Sequence, residues 1–240
     1  MSKDNLAGWR IDDVSLERFE GSLTRLSFTR GQRTALFAFS SWALGRGQLP
    51  LWQELSRRLP RDAAIVGVAA EVEGERWVRG YLRMAGVTFP VLLDRKNQIG
   101  AMLGYKAGPN VVLVDEQGRL VMRRLYDASL RKADCRAAIE GFLLQGKLPD
   151  ATQPDPAFAP RPGSQGAFGE AVDLYLAGEL AGCRIPWRRS TQLDPEHWIS
   201  QEQLWVLDAP ERFHPWIDVA WQNERLAEEG RPVCACDLTP

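Results

Sequence analysis

Between residues 11 and 146, short apolar runs alternate with stretches of helical periodicity, and no other feature constrains the fold as strongly. Leu36-Phe37-Ala38-Phe39 and the run from Ala63 to Ala70 are apolar without interruption, so each predicts a strand buried on both faces. Phe89 to Leu93 and Val111 to Val114 are further short runs rich in β-branched and aromatic residues. Between these runs, Leu49 to about Leu59 sets Leu51, Trp52, Leu55 and Leu59 on one side of a helix. Arg76 to Met84 reads as a second helix, with Trp77, Tyr81, Leu82 and Met84 among its apolar positions. Glu116-Gln117-Gly118 turns the chain into Leu120-Val121-Met122, a hairpin signal, and a helix from about Leu130 to Leu144 closes the region. Elements in this order predict an α/β domain, a central sheet with flanking helices on both faces.

Residues 148–166 break the pattern, with five prolines (149, 154, 156, 160 and 162) and no periodicity. Proline fixes φ and removes a donor, so this segment reads as an extended linker or strap. Beyond it, Phe168 to about Ala227 is helical in pattern and carries Trp187, Trp198, Trp205, Trp216 and Trp221. Rings of that size need burial, which predicts an all-α C-terminal extension packed on the first domain, on a partner chain, or on both. The division is therefore a domain over 1–147, a linker over 148–166 and a helical extension over 167–240.

Charge and composition close off several functions. With 30 basic and 31 acidic residues the formal net charge is −1, which gives no electrostatic claim on nucleic acid or an anionic membrane. No apolar run reaches the roughly 18 residues a spanning helix needs. Met1-Ser2-Lys3-Asp4-Asn5 lacks an apolar leader core, so the expected location is the cytoplasm, where cysteines stay mostly reduced. Only His197 and His214 are present, too few for a His-rich metal site, and no metal or cofactor is expected.

Three spaced motifs carry a family resemblance. Gly21-Ser22-Leu23-Thr24-Arg25-Leu26, then Gly31, then Thr34 to Trp42 (TALFAFSSW) form the first. Gly86-Val87-Thr88-Phe89-Pro90-Val91-Leu92-Leu93-Asp94 is the second. Leu103-Gly104-Tyr105, Gly108-Pro109 and Val112 to Arg119 (VLVDEQGR) complete the set. In order and over about 130 residues, they resemble the thioredoxin fold of the redoxin class, which groups AhpC/TSA peroxidases with TlpA/ResA-like thiol-disulfide oxidoreductases. The resemblance implies a thioredoxin-like central mixed sheet and a cis bond at Gly108-Pro109, facing the start of the helix after the first central strand. An X-Pro bond takes the cis form for roughly 0.5–1 kcal/mol, and an ordinary Gly-Pro turn is the alternative.

At the expected redox centre the chain departs from the family. The fold uses cysteine at a helix N-terminus, where the dipole and free N–H groups stabilise a thiolate. Here the stretch is Ser41-Trp42-Ala43-Leu44-Gly45-Arg46-Gly47-Gln48-Leu49-Pro50. Aligned on Trp42, the two cysteine positions hold Ala43 and Arg46; aligned on Pro50, they hold Trp42 and Gly45. Neither register supplies a thiol. What is left is a binding cleft of Trp42, Ala43, Arg46, Gly108 and Pro109. Arg46 there is either a solvated charge or a holder of a carboxylate, a phosphate or a backbone segment. Ser40 and Ser41 have no histidine in this half to activate them. Glu71 and Glu73, placed near the same rim, read as solvated loop carboxylates rather than an acid/base pair.

Cys135 falls on the apolar face of its helix and Cys183 at a small-residue position between helices, so both read as packing. Cys234-Ala235-Cys236 near the C-terminus is either a redox pair, able to form a strained disulfide, or two incidental thiols. Ala171 to Leu180, Cys183, Trp187 and Leu193-Asp194-Pro195 resemble one tetratricopeptide-type unit, which by itself serves more often as a cap than as a receptor. Two functions follow. One is a fold without its redox centre, acting as a binding or scaffolding module for a protein or peptide partner. The other is a redoxin-type oxidoreductase or peroxidase using Cys234 and Cys236. A homodimer is expected in either case, from the apolar surface of the extension.

Overall fold

A computed structural model describes residues 8–150 and 158–230. Its centre is a seven-stranded mixed sheet of β1 (Ser15–Arg18), β2 (Leu23–Arg25), β3 (Arg33–Phe39), β4 (Ala63–Ala69), β5 (Val91–Leu93), β6 (Asn110–Val114) and β7 (Leu120–Arg124). The spatial order is β2-β1-β5-β4-β3-β6-β7. β3, β4 and β5 run parallel, while β6 and β7 continue antiparallel from β3, and β1 joins antiparallel to β5. The helices are α1 (Leu49–Ser56), α2 (Glu75–Met84), α3 (Gln98–Leu103) and α4 (Ala133–Gln145), then α5 (Pro162–Leu176), α6 (Arg184–Leu193), α7 (Trp198–Asp208) and α8 (Val219–Glu228).

The uninterrupted apolar runs have the predicted cause, since successive side chains of a strand enter opposite faces. Ala35, Phe37 and Phe39 join Ile65, Val111 and Leu113 in one core, closed by Trp52 of α1, Val78 of α2 and Ile139 and Phe142 of α4. Leu36 and Ala38, alternating with them, join Val66, Val68, Leu92 and Val112 in the second core. That core continues through Ile99 and Leu103 of α3 into Phe168, Trp187, Trp205 and Phe213 of the extension. The extension is thus the outer layer of the second core, rather than an appendage.

Several expectations need correction in detail. α5 begins at Pro162, inside the stretch expected to be linker up to 166, because proline suits the first turn of a helix, where an N–H has no partner. α3 carries no mark in the sequence, being six residues long with no extended periodicity. Trp187 and Trp205 are buried and Trp198 and Trp221 are partly so, but Trp216 is 82% exposed. Cys135 and Cys183 are buried as expected. Cys234 and Cys236 lie outside the described residues.

Candidate functional site

Trp42, Ala43 and Arg46 follow β3 on an irregular segment and a 3-10 turn (Leu44–Gln48) that leads into α1. Gly108-Pro109 is cis, as expected, and its loop faces this turn. A Cβ on Gly45 would lie 3.1 Å from Pro109 Cβ, so glycine is what allows the approach. Trp42 is buried, and its Nε1 donates to Ala70 O at 3.2 Å. The turn and the proline loop therefore meet, while the Trp42 ring is committed to the core.

Arg46 is not a solvated charge. Its Nη1 donates to Ser41 O, to Tyr81 Oη at 2.7 Å and to Phe213 O at 3.0 Å, and its Nη2 donates to Pro215 O at 2.8 Å. The guanidinium also lies over the Tyr81 ring, 4.2 Å from its centroid. Of the possible ligands, Arg46 holds a backbone segment, and that segment is the chain's own. The intervening ring of His214 stacks on Trp77 at 4.3 Å and 10°, with Nδ1 3.1 Å from Tyr81 Oη. Trp77 and Tyr81 are four residues apart on α2 and share a face, which their spacing gave away; that this face meets residues 213–215 did not show in any local pattern. The His214-Pro215 bond is also cis.

Of the two carboxylates read as solvated, Glu71 is buried and Glu73 is half-buried. Glu71 is 2% exposed. Ser41 donates to it twice, from its N–H and from its hydroxyl at 3.0 Å. Burial pushes the Glu71 carboxyl up to about 8, against the pull of the two Ser41 bonds, and the Glu73 charge adds to the rise. Glu73 accepts from Trp77 Nε1, from Tyr175 Oη at 3.0 Å and from Arg76 at 2.7 Å. Burial, with Arg46 nearby, pulls His214 down to about 4, so its ring is neutral at pH 7. Burial also raises Tyr81, opposed by Arg46. Around Arg46 at neutral pH the site thus sets a protonated Glu71 and a neutral His214 ring, with the Glu73–Arg76 ion pair beside them. Ser40 and Ser41 are buried, and the His214 Nδ1 contact is to Tyr81 rather than to either serine.

The extension also seals the neighbouring rim. Ile199 N–H donates to Lys106 O at 3.0 Å, just before the cis-proline loop, and Val72 N–H donates to Gln203 Oε1 at 2.6 Å. Buried Lys106 pairs with buried Asp194 at 3.0 Å and reaches Glu196 at 3.3 Å.

No protein-family model matches the chain. Thioredoxin-like protein YneN of Bacillus subtilis is 24% identical over 136 residues, 55% of this chain and 78% of YneN. The thiol-disulfide oxidoreductase ResA of Geobacillus thermodenitrificans is 23% identical over 136 residues, 56% of this chain and 77% of ResA. Among solved structures, the thioredoxin domain of a thiol-disulfide oxidoreductase from Bacteroides vulgatus superposes with a TM-score of 0.46 at 18% identity, over 57% of this chain and 97% of that one. The domain is thioredoxin-like. Its sheet order, its cis-proline loop and the names of both curated relatives, one a thioredoxin-like protein and one a thiol-disulfide oxidoreductase, agree on that. Residues 41–50, which run from the end of β3 into α1, contain no cysteine.

Proposed function

We propose that this chain is a redoxin-class, thioredoxin-fold protein that has left thiol-disulfide and peroxidase chemistry and serves as a binding or scaffolding module. The observation that carries the reading is at the turn before α1. There Arg46 grips backbone carbonyls by hydrogen bonds, where the fold's redox members would present a thiolate. Cys135 and Cys183 offer no substitute, because both are buried and burial raises both thiols. The partner is a protein or peptide, and the assembly is a homodimer in the cytoplasm. The α5–α6 pair, joined through Gly178 at φ 84°, serves as the single tetratricopeptide-like cap.

A second reading is favoured by the name of one relative, a thiol-disulfide oxidoreductase, together with the Cys234-Ala235-Cys236 tail. In it, the tail pair reduces a substrate disulfide and is itself oxidised to a disulfide, to be reset by an external dithiol. Insulin reduction with dithiothreitol supplied, and peroxide consumption, separate the two readings. The module reading expects wild-type rates equal to those of Cys234→Ser/Cys236→Ser and to the uncatalysed background. Activity that the double substitution abolishes would establish the tail as the redox centre.

A further inference from the structure

Residues 213–216 enter the groove between the Arg46 turn and α2 as a preformed loop. Asp218 N–H donates to Arg212 O at 2.7 Å and Arg212 pairs with Asp218 at 2.8 Å, which staples the base of the loop. Phe213 is fully buried beneath it. The groove itself is built wholly from the first domain: Arg46, Trp77 and Tyr81. It reads three things: two carbonyls two residues apart, a flat ring lying on Trp77, and a polar contact to Tyr81 Oη. Without an occupant, Arg46 would lose two acceptors and the Trp77 face would be bare.

The loop fills the groove with a defect. His214 Nε2 is buried and has no hydrogen-bond partner. Whichever tautomer the ring adopts, only Nδ1 is served, through Tyr81, and a buried polar atom left unmatched costs stability. A hydrocarbon ring would occupy the same slot on Trp77 without that cost. Tyr81 Oη would keep its bonds with Arg46 and with Pro215 O at 3.1 Å. The rim is apolar as well. Met84, one helical turn beyond Tyr81 on α2, is 79% exposed.

We propose that the Arg46–Trp77–Tyr81 groove is a recognition site for a segment of another polypeptide bearing a phenyl-type ring followed by proline. The His214-Pro215 loop holds the same groove in cis as an imperfect ligand. This rests on the binding-module reading and names its ligand class. The guanidinium supplies a backbone clamp indifferent to side chains, the Trp77 face supplies the ring preference, and Met84 on α2 extends the contact for a longer peptide.

The probe is a fluorescein-labelled peptide with the sequence of residues 211–217, phenylalanine replacing the histidine, titrated by anisotropy into the full chain. His214→Gly/Pro215→Gly, the emptied form, takes the ring off Trp77 and frees the loop backbone to leave Arg46, while Phe213 stays in place. It is expected to bind the probe at least tenfold more tightly than wild type, and adding Arg46→Met should reverse at least tenfold of that. Equal binding by wild type and the emptied form, or binding that Arg46→Met leaves unchanged, overturns the proposal. If the emptied form does not fold, His214→Phe decides. A higher melting midpoint with probe binding below that of wild type supports the proposal, and a lower midpoint overturns it. The redox assays test the module reading separately, so a tail-dependent reductase with no peptide affinity and a module with the wrong ligand give different results.

Discussion

A carboxyl's fate is set by what lies above it, and Glu71 is the clearest instance at the scale of single residues. Two positions after an apolar strand, it looks like any loop acid, yet it is buried beneath the Ser41 backbone with its proton retained to about pH 8. The sign of its effect on stability follows. The folded pKa lies above the ordinary 4.5, so the stability it permits is complete below about pH 4.5 and is lost as pH rises through 8. The loss is on the order of 4–5 kcal/mol at 1.36 kcal/mol per pKa unit. Glu71→Gln keeps an oxygen for the Ser41 N–H and lets the hydroxyl accept instead. Urea titrations at pH 5 and pH 8.5 should show the wild type losing stability over that interval and the variant losing far less. A residual slope below about pH 6 is expected from Asp94, which burial also raises, to about 6. Equal slopes in the two proteins would mean that Glu71 is already ionised in the fold. His197 and His214, both held down to about 4 chiefly by burial, act in the opposite sense, and their contribution falls away as pH drops from 6.5 to 4.

Among the elements, strands were easier to read than the contacts between them. The runs at 36–39, 63–70 and 111–114 predict β3, β4 and β6 because a strand buried on both faces has no polar alternative. α3 has no such mark, being short and flanked by left-handed Asn97 and Gly104. The end of α6 and the cis-proline loop are joined by the Lys106–Asp194 pair, which neither local segment announces. Asp194 also accepts the Arg161 N–H at 3.1 Å. Removing one partner strands a buried charge, so Asp194→Ala should cost about 3 kcal/mol, with exposed Glu196 offering Lys106 only partial relief. Lys106→Met/Asp194→Asn, which removes both charges and keeps an acceptor for Arg161, should cost clearly less than Asp194→Ala. A double-mutant cycle in urea checks this; strict additivity would show that the pair is not coupled.

For the whole molecule, the second core is continuous from Leu36 and Val68 through α3 to Phe168, Trp187 and Phe213. Two halves that share a core should unfold as one. Thermal melts followed by near-UV dichroism, dominated by the tryptophans, and by far-UV dichroism should coincide at a single midpoint. Two separated transitions would show an extension that folds independently. Arg46→Met, which releases the Phe213 and Pro215 carbonyls, is expected to lower that midpoint by several degrees while leaving the transition single.

The chain's own pattern determined the α/β sheet, the absence of cysteine from residues 41–50 and the helical character of the second half, and its resemblance to a family implied the cis-proline loop. Each of these is written in local terms: strand alternation, a motif at fixed spacing, or the identity of a single residue. Only the tertiary structure decided that Glu71 is buried, that Arg46 is clamped on residues 213–215, and that His214 lies on Trp77 with one nitrogen unmatched. Those contacts join positions more than a hundred residues apart, or depend on desolvation by a distant element. A carboxylate or guanidinium carries no sign in its neighbours of whether another part of the chain will cover it.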